Sequence, residues 1–149
     1  MADDLPPLAL DIDGTLTDGS GRLDSRVFQY LPTWDAPVVL ATGKAFPYPV
    51  SLSHYLGLDQ TVIAENGGVV LADGVVSYQG DRERARAAAD AFVERGGDLG
   101  WGEFDAINEW RQTEIAVNLE ADEELLRSVA TEFDLDVFDT GYAFHVKTP

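Results

Sequence analysis

Residues 8–17 read Leu-Ala-Leu-Asp-Ile-Asp-Gly-Thr-Leu-Thr, an apolar run that gives way to two acids and a glycine. A short apolar run is typical of a buried strand, and the polar residues after it predict a loop at its carboxyl end. Asp11 and Asp13 are one residue apart, so an extended backbone puts them on one face, and a turn at Gly14 lets them diverge. The stretch therefore predicts a strand that delivers two carboxylates to one loop.

The same plan occurs twice more in the first half of the chain. Residues 38–41 read Val-Val-Leu-Ala before Thr42-Gly43, and residues 61–64 read Thr-Val-Ile-Ala before Glu-Asn-Gly-Gly at residues 65–68. Each apolar run again predicts a strand that ends in a polar cluster. Three strands of this kind place three polar clusters at strand ends.

Helical patterns separate these strands. Ser25 is a candidate N-cap for a helix that runs to Leu31, and Pro49 is a candidate first residue for a helix that Gly57 ends. Strands that alternate with helices favour a parallel sheet, whose ligand sites lie beyond the carboxyl ends of its strands. We therefore predict an α/β fold that begins with a partial Rossmann-like parallel core of three strands with helices.

The pattern changes after Gly68, where Asp73-Gly74 between two apolar runs predicts a β-hairpin. A helix is predicted over residues 82–95, with one apolar face made of Ala85, Ala88, Ala89, Phe92 and Val93. A strand with Ile115, Val117 and Leu119 follows. Asp122 then caps a second helix, and a strand pair is predicted around Thr140-Gly141. These elements predict a second α/β lobe. The predicted domains are residues 1–79 and residues 80–149.

The two acids of the first loop suit phosphoryl transfer through a covalent aspartyl-phosphate. Such a reaction needs one carboxylate to attack phosphorus and a second group to protonate the leaving oxygen and later activate water. Asp11 suits the first role and Asp13 the second. A divalent metal ion held by Asp11 and by Asp13 would offset repulsion between carboxylate and phosphate, and a site of oxygen ligands alone favours Mg²⁺.

These residues resemble the motifs of the haloacid dehalogenase-like phosphatases. Residues 11–17 resemble the first motif of that superfamily, and Ala-Thr-Gly-Lys at residues 41–44 resembles the second, which implies that Thr42, Gly43 and Lys44 bind the phosphate. An ordinary strand exit with a solvated lysine is the alternative for this loop. The run Asn66-Gly67-Gly68 is similar to a signature of the subfamily with an inserted α/β cap, and it implies a place near substrate; a plain tight turn is the alternative.

The second lobe resembles the cap of archaeal-type phosphoglycolate phosphatases, through residues 109–117 and residues 141–146. Arg111 has the planar fork that pairs best with a substrate carboxylate, and the alternative is a surface arginine paired with Glu114. The resemblance implies magnesium-dependent hydrolysis of a small phosphate monoester, 2-phosphoglycolate, to glycolate and phosphate. Other sugar-phosphate or phosphoglycerate phosphatases are the nearest enzyme alternatives.

Two parts of the superfamily pattern are missing from this sequence. No third-motif lysine and no fourth-motif acidic cluster follow Val146-Lys147-Thr148-Pro149. We expect a truncated chain that is a poor phosphatase alone and that pairs with itself as a homodimer or with a separate C-terminal core segment. The alternative is an inactive fragment that acts as a binding module.

Composition narrows the classes of partner. Asp and Glu outnumber Lys and Arg by 27 to 10, so the formal net charge is -17, which opposes binding to nucleic acid or to an anionic membrane. The same excess of acid favours adaptation to high salt, and an ordinary acidic cytosolic protein is the alternative. The chain has no cysteine, which excludes thiolate chemistry. The acidic start at residues 1–4 and the absence of a long apolar run predict a cytoplasmic protein.

Overall fold

The computed structural model describes residues 5–149; the acidic start at residues 1–4, which contributes to the prediction of a cytoplasmic protein, lies outside the described residues. The chain forms two compact units, the first ending at Ser77 and the second spanning Tyr78–Pro149. The assignment of residues 1–79 to a phosphatase core and of residues 80–149 to a cap stays a prediction.

The first unit is built on a sheet in the order β1-β2-β3-β4-β5. Its strands are β1 (Leu8–Asp11), β2 (Val38–Ala41), β3 (Val62–Ala64), β4 (Val69–Ala72) and β5 (Val75–Tyr78). Strands β1, β2 and β3 are parallel, and β4 runs antiparallel to β3. The predicted α/β core with three parallel strands is confirmed. Ala9 and Asp11 are exposed, however, so β1 is half-buried rather than buried.

Two helices lie between the parallel strands. Helix α1 (Val27–Tyr30) continues into a 3-10 turn at Leu31–Thr33, and α2 spans Pro47–Tyr55. The predicted cap at Ser25 is wrong: the N-cap is Arg26 without a side-chain bond, because the Asp24 carboxylate accepts the Arg26 backbone N–H at 2.9 Å and forms the local turn. Helix α2 begins at Pro47 instead of Pro49, with a proline in its first turn.

The predicted hairpin after the third strand is confirmed. Its two-residue turn has positive φ at both positions, 51° at Asp73 and 73° at Gly74, as the mirror-image turns that match strand twist require. The apolar core beneath this sheet includes Leu40 and Val62, both 0% exposed, so the central strands are anchored.

The second unit packs two helices on a sheet in the order β6-β8-β7. Its elements are α3 (Arg82–Glu94), α4 (Ala106–Glu109), β6 (Ile115–Val117), α5 (Glu123–Glu132), β7 (Asp136–Asp139) and β8 (Phe144–Lys147). Asp122 caps α5 as predicted, accepting the Leu125 N–H at 3.0 Å. Val93 is 48% exposed, so its predicted place on the apolar face of α3 is wrong, and β6 ends at Val117, so Leu119 lies outside the strand predicted to include it.

The core of this unit is small and closely packed. Phe92 and Val129, from α3 and α5, are 0% exposed and lie in one cluster with Val117 of β6. None of the helices described over residues 5–149 combines the length and the apolarity that a membrane crossing requires.

Candidate functional site

Three loops meet at the carboxyl ends of the parallel strands of the first sheet. The parallel register pairs Asp11 with Ala41, and Ala41 with Ile63, so the strands end side by side. The loops that begin at Asp11, at Thr42 and at Glu65 therefore leave the sheet at the same edge. All predicted site residues except Arg111 belong to these loops.

The first loop is a tight turn fixed around one carbonyl. The oxygen of Ile12 accepts the backbone N–H groups of Thr15, Leu16 and Thr17 at 3.3, 2.9 and 3.2 Å. Ile12 and Leu16 are each 6% exposed and anchor the turn in the core. The loop thereby has a fixed shape, although it lies at the surface.

The two carboxylates of that turn have different surroundings. Asp11 ends β1 with an exposed side chain whose Oδ1 accepts the Ile12 N–H at 2.8 Å. Asp13 is half-buried, and Gly14 follows it with a φ of 81°, which favours glycine. The two acids thus have different partners and different exposure.

The second loop carries a buried hydroxyl and a cation. Thr42 is 6% exposed; its N–H donates to Ile63 O at 2.9 Å, and its Oγ1 accepts the Lys44 N–H at 3.1 Å. The Lys44 ammonium lies 3.6 Å from Asp13 Oδ2 and 5.2 Å from the centre of the Tyr48 ring. Lys44 is thus turned toward the first loop.

The third loop is fastened to the second by the backbone. Glu65 N–H donates to Lys44 O at 3.0 Å, and Asn66 N–H donates to Thr42 O at 3.3 Å. Glu65 is 0% exposed, whereas Asn66 is exposed. The burial of Glu65 is a feature that the sequence did not indicate beyond an acid directly after a strand.

Arg111 lies in the second unit, in a buried polar cluster. Its guanidinium forms an ion pair with Glu114, and His145 Nδ1 lies 2.8 Å from the same carboxylate oxygen, Oε1. The three side chains of this cluster are at most 6% exposed. Glu114 is the predicted alternative partner, but the pair is buried instead of at the surface. The predicted contact of Arg111 with substrate stays a prediction.

Acids near the first loop already serve local structure. Asp18 Oδ1 accepts the Ser20 hydroxyl at 2.6 Å and the Ser20 N–H at 2.8 Å, and these bonds lower the pKa of Asp18. The Asp24 carboxylate accepts hydrogen bonds from Arg26, which lowers its pKa to about 2. Both acids stay ionised at neutral pH and shape the segment that follows the first loop.

The donor set at this edge fits a hard cation. Asp11 offers a carboxylate oxygen and Asp13 a backbone carbonyl in one loop, and Mg²⁺ commonly takes one or two carboxylates together with water and substrate phosphate. Over residues 5–149, no group of three or more His, Cys, Asp or Glu side chains is placed to hold a metal ion.

Residues 8–100 match the sequence model of the haloacid dehalogenase-like hydrolases. The chain is 66% identical over 146 residues to a phosphoglycolate phosphatase of Halorubrum lacusprofundi, covering 97% of this chain and 64% of that protein. It is 52% identical over 143 residues to a phosphoglycolate phosphatase of Natronomonas pharaonis, covering 95% and 63%. The chain thus spans a little under two thirds of the length of these curated relatives, which come from halophilic archaea.

The fold is also found among solved structures. A protein of Thermoplasma acidophilum matches with a TM-score of 0.78 at 23% identity, over 95% of this chain and 64% of that one. At this identity the likeness concerns the fold alone.

Proposed function

Because this chain belongs to the haloacid dehalogenase-like hydrolase family, whose sequence model matches residues 8–100, we propose that the complete protein is a magnesium-dependent phosphomonoesterase. The chain described here contributes the nucleophile and the phosphate-binding loops. One observation carries the proposal: parallel strands bring Asp11, Asp13 and the Thr42–Lys44 loop to one sheet edge, where the Lys44 ammonium lies 3.6 Å from Asp13.

The proposed reaction begins with attack by an Asp11 carboxylate oxygen on phosphorus. The bond from phosphorus to the ester oxygen breaks as Asp13 donates a proton to that oxygen, which releases the alcohol and leaves phospho-Asp11. Asp13, now ionised, takes a proton from water as the water oxygen attacks phosphorus, which releases phosphate and restores Asp11. General acid–base assistance of this kind is worth about 10²–10⁴-fold in rate.

The second loop is suited to the phosphate. Because the Thr42 hydroxyl accepts the Lys44 N–H, its own hydrogen is available to a phosphate oxygen. Lys44 adds a positive charge beside Asp13, and Gly43 lets the backbone approach an anion closely. The Asp11 carboxylate and the backbone carbonyl of Asp13 would hold Mg²⁺, which, when bound, neutralises phosphate charge as the nucleophile approaches.

For the substrate we propose 2-phosphoglycolate, hydrolysed to glycolate and phosphate. The proposal is supported by the relatives from Halorubrum and Natronomonas, both of which are phosphoglycolate phosphatases. Another sugar-phosphate or phosphoglycerate is the nearest alternative. We place the reaction in the cytoplasm, in keeping with the acidic composition of the chain.

The partner that we propose is a further core segment or a second copy of the chain. Among the described strands β1 has one neighbour, β2, so its other edge offers unpaired backbone groups for strand addition. The unpaired side of β1 is also the observation that favours the second candidate function, a binding module without turnover.

The test is phosphate release from 2-phosphoglycolate by the complete protein, with MgCl₂ present. Asp11→Asn is expected to abolish turnover because an amide does not attack phosphorus, and Asp13→Asn to lower it by about 10²–10⁴-fold. Asp35→Asn, at an exposed acid of the same unit, is the control and should retain the rate. Turnover by Asp11→Asn near the parent rate would remove Asp11 from the nucleophile role, and phosphate binding without turnover by the parent would favour the binding module.

A further inference from the structure

The turn that begins at Glu65 has an unusual backbone. Glu65, Asn66 and Gly67 have φ values of 51°, 54° and 90°, so three successive residues are in the left-handed region. This conformation is unfavourable for a residue with a Cβ, and least so for asparagine. Strain of this kind persists only where surrounding contacts hold it.

Backbone contacts from the proposed phosphate loop help to hold the turn. Its first two backbone N–H groups, from Glu65 and Asn66, donate to the carbonyls of Lys44 and Thr42 at 3.0 and 3.3 Å. Complete burial of Glu65 fixes the start of the turn. The strained turn and the phosphate loop are therefore held together as one rigid segment pair.

Gly43 lies in the middle of the phosphate loop, against the Asn66 side chain. A Cβ built on Gly43 would lie 2.8 Å from Asn66 Oδ1 and 3.4 Å from Asn66 Cγ. The φ of Gly43 is not in the left-handed region, so its backbone conformation is open to alanine. A methyl group at position 43 would therefore have to displace the Asn66 amide, whereas the local backbone could accept it.

We propose that Asn66 is a positioning residue that acts through Gly43: its amide packs against the glycine and fixes the Thr42–Lys44 loop in the shape that receives phosphate. The inference rests on the proposed function, because it takes residues 42–44 as the phosphate site. In this proposal Asn66 positions the Thr42–Lys44 loop and does not contact the leaving group. The strain at residues 65 and 66 is the conformational requirement for presenting that amide.

The first variant is Asn66→Gly in the complete protein. Glycine adopts the left-handed conformation readily, so this change removes the amide and leaves the turn intact. The matched control is Asp73→Gly, at an exposed residue with a φ of 51° in the β4–β5 turn, away from the three loops. Both variants should fold, and Asp73→Gly should keep the parent kcat/KM.

The expected result is a loss of at least about tenfold in kcat/KM for Asn66→Gly, because small displacements of positioning groups are costly in rate. The loss should be equal for 2-phosphoglycolate and for a neutral aryl phosphate, since both present the same phosphate. Parent-like activity, or a loss confined to 2-phosphoglycolate, would overturn the inference; the second result would mean direct contact with the leaving group.

The second measurement is a double-mutant cycle with Gly43→Ala. In the parent background the new methyl group meets the Asn66 amide, and in the Asn66→Gly background that obstacle is gone. We expect the Gly43→Ala loss to be smaller in the second background, with coupling on the order of 2- to 100-fold, as for residues in contact. Losses that simply multiply would contradict the proposed contact.

The outcomes also separate this inference from the proposed function. If the parent hydrolyses no phosphate monoester, the proposed function fails, and the same cycle is then measured as the affinity for inorganic phosphate. Coupling between Gly43→Ala and Asn66→Gly in that affinity supports the positioning role, and its absence overturns it.

Discussion

Lys44 contacts groups from two elements at once. Its ammonium lies 3.6 Å from Asp13 Oδ2, with the side chains 40% and 33% exposed, and 5.2 Å from the ring of Tyr48 in α2. At that exposure the ion pair contributes at most about 1 kcal/mol to folding. A charged contact with phosphate in the transition state is worth more, about 1.5–3 kcal/mol. We infer that the charge of Lys44 matters for turnover more than for stability.

Lys44→Met should therefore lower kcat/KM by about 10- to 100-fold while the free energy of unfolding changes by less than about 1 kcal/mol. Steady-state kinetics and urea unfolding of the complete protein measure the two quantities. Lys147→Met, at a lysine 5.9 Å from the Phe138 ring in the second unit, is the control and should retain the rate. A Lys44→Met enzyme as fast as the parent would show that the ammonium assists neither Asp13 nor the phosphate.

Asp24 links stability to pH. Hydrogen bonds from the Arg26 side chain, and then from its backbone, lower the pKa of Asp24 from 3.8 to about 2. A folded-state pKa below the unfolded one gives a stabilisation that is fully present above about pH 4 and is lost as the pH falls toward about 2. The ionised carboxylate is therefore part of the local fold.

The expected result for Asp24→Asn is a shallower fall of stability between about pH 4 and about pH 2, the window between the two pKa values of Asp24. Urea unfolding at a series of pH values measures that slope. Asp35→Asn is the control and should keep the parent slope. Equal slopes for Asp24→Asn and the parent would mean that the Arg26 bonds do not persist in solution.

At the scale of elements, the sequence predicts strands better than it predicts side-chain partners. The strand ends at Asp11, Thr42 and Glu65 could be predicted because an apolar run followed by a polar cluster is a local signal. The turn at Asp73-Gly74 was predictable for the same reason. The short α1 was not, because an Asp24 bond replaces the Ser25 cap, and both residues favour such positions.

The buried cluster of the second unit shows where local patterns fail. Glu114 and His145 meet although they are 31 positions apart in the sequence, and no periodicity links residues across such a distance. The sequence placed Arg111 near Glu114 because the two are three positions apart, but the burial of the pair depends on how β6 and β8 align. Tertiary packing thus decides between a surface ion pair and a buried one.

Because the pair is buried, we expect Arg111→Ala to lower the free energy of unfolding. Removing one partner leaves the Glu114 carboxylate, 0% exposed, without its guanidinium, which costs about 3–5 kcal/mol. The free energy of unfolding should fall by that amount. The double variant Arg111→Met with Glu114→Gln leaves neither charge buried, keeps a side-chain oxygen for His145, and should recover most of it.

The same pair of variants tests the predicted contact of Arg111 with substrate. If Arg111 is structural, the stable double variant should hydrolyse 2-phosphoglycolate and a neutral aryl phosphate in the parent ratio. A selective loss of 2-phosphoglycolate in a variant as stable as the parent would instead support direct recognition of the carboxylate.

For the whole molecule the dominant physical quantity is charge. A net charge of -17 on 149 residues creates self-repulsion that opposes the compact state. The relatives from Halorubrum and Natronomonas come from halophilic archaea, and we propose the same adaptation for this chain. Salt shortens the range of that repulsion, with a Debye length of about 10 Å at 0.1 M and about 3 Å at 1 M. Stability should therefore increase with ionic strength.

We expect the urea midpoint of unfolding to rise between 0.1 and 1 M salt, with little change in the denaturant slope, because screening alters charge interactions and not the surface exposed on unfolding. KCl and NaCl should act alike if screening is the cause, whereas a selective site would distinguish K⁺ from Na⁺. The matched variant replaces three exposed acids by amides, as Asp90→Asn, Glu103→Gln and Glu120→Gln. With less self-repulsion it should be more stable than the parent at 0.1 M and gain less from added salt. A midpoint that is flat or falls with salt, in the parent and in the variant alike, would mean that the acidic surface is not an adaptation to salt.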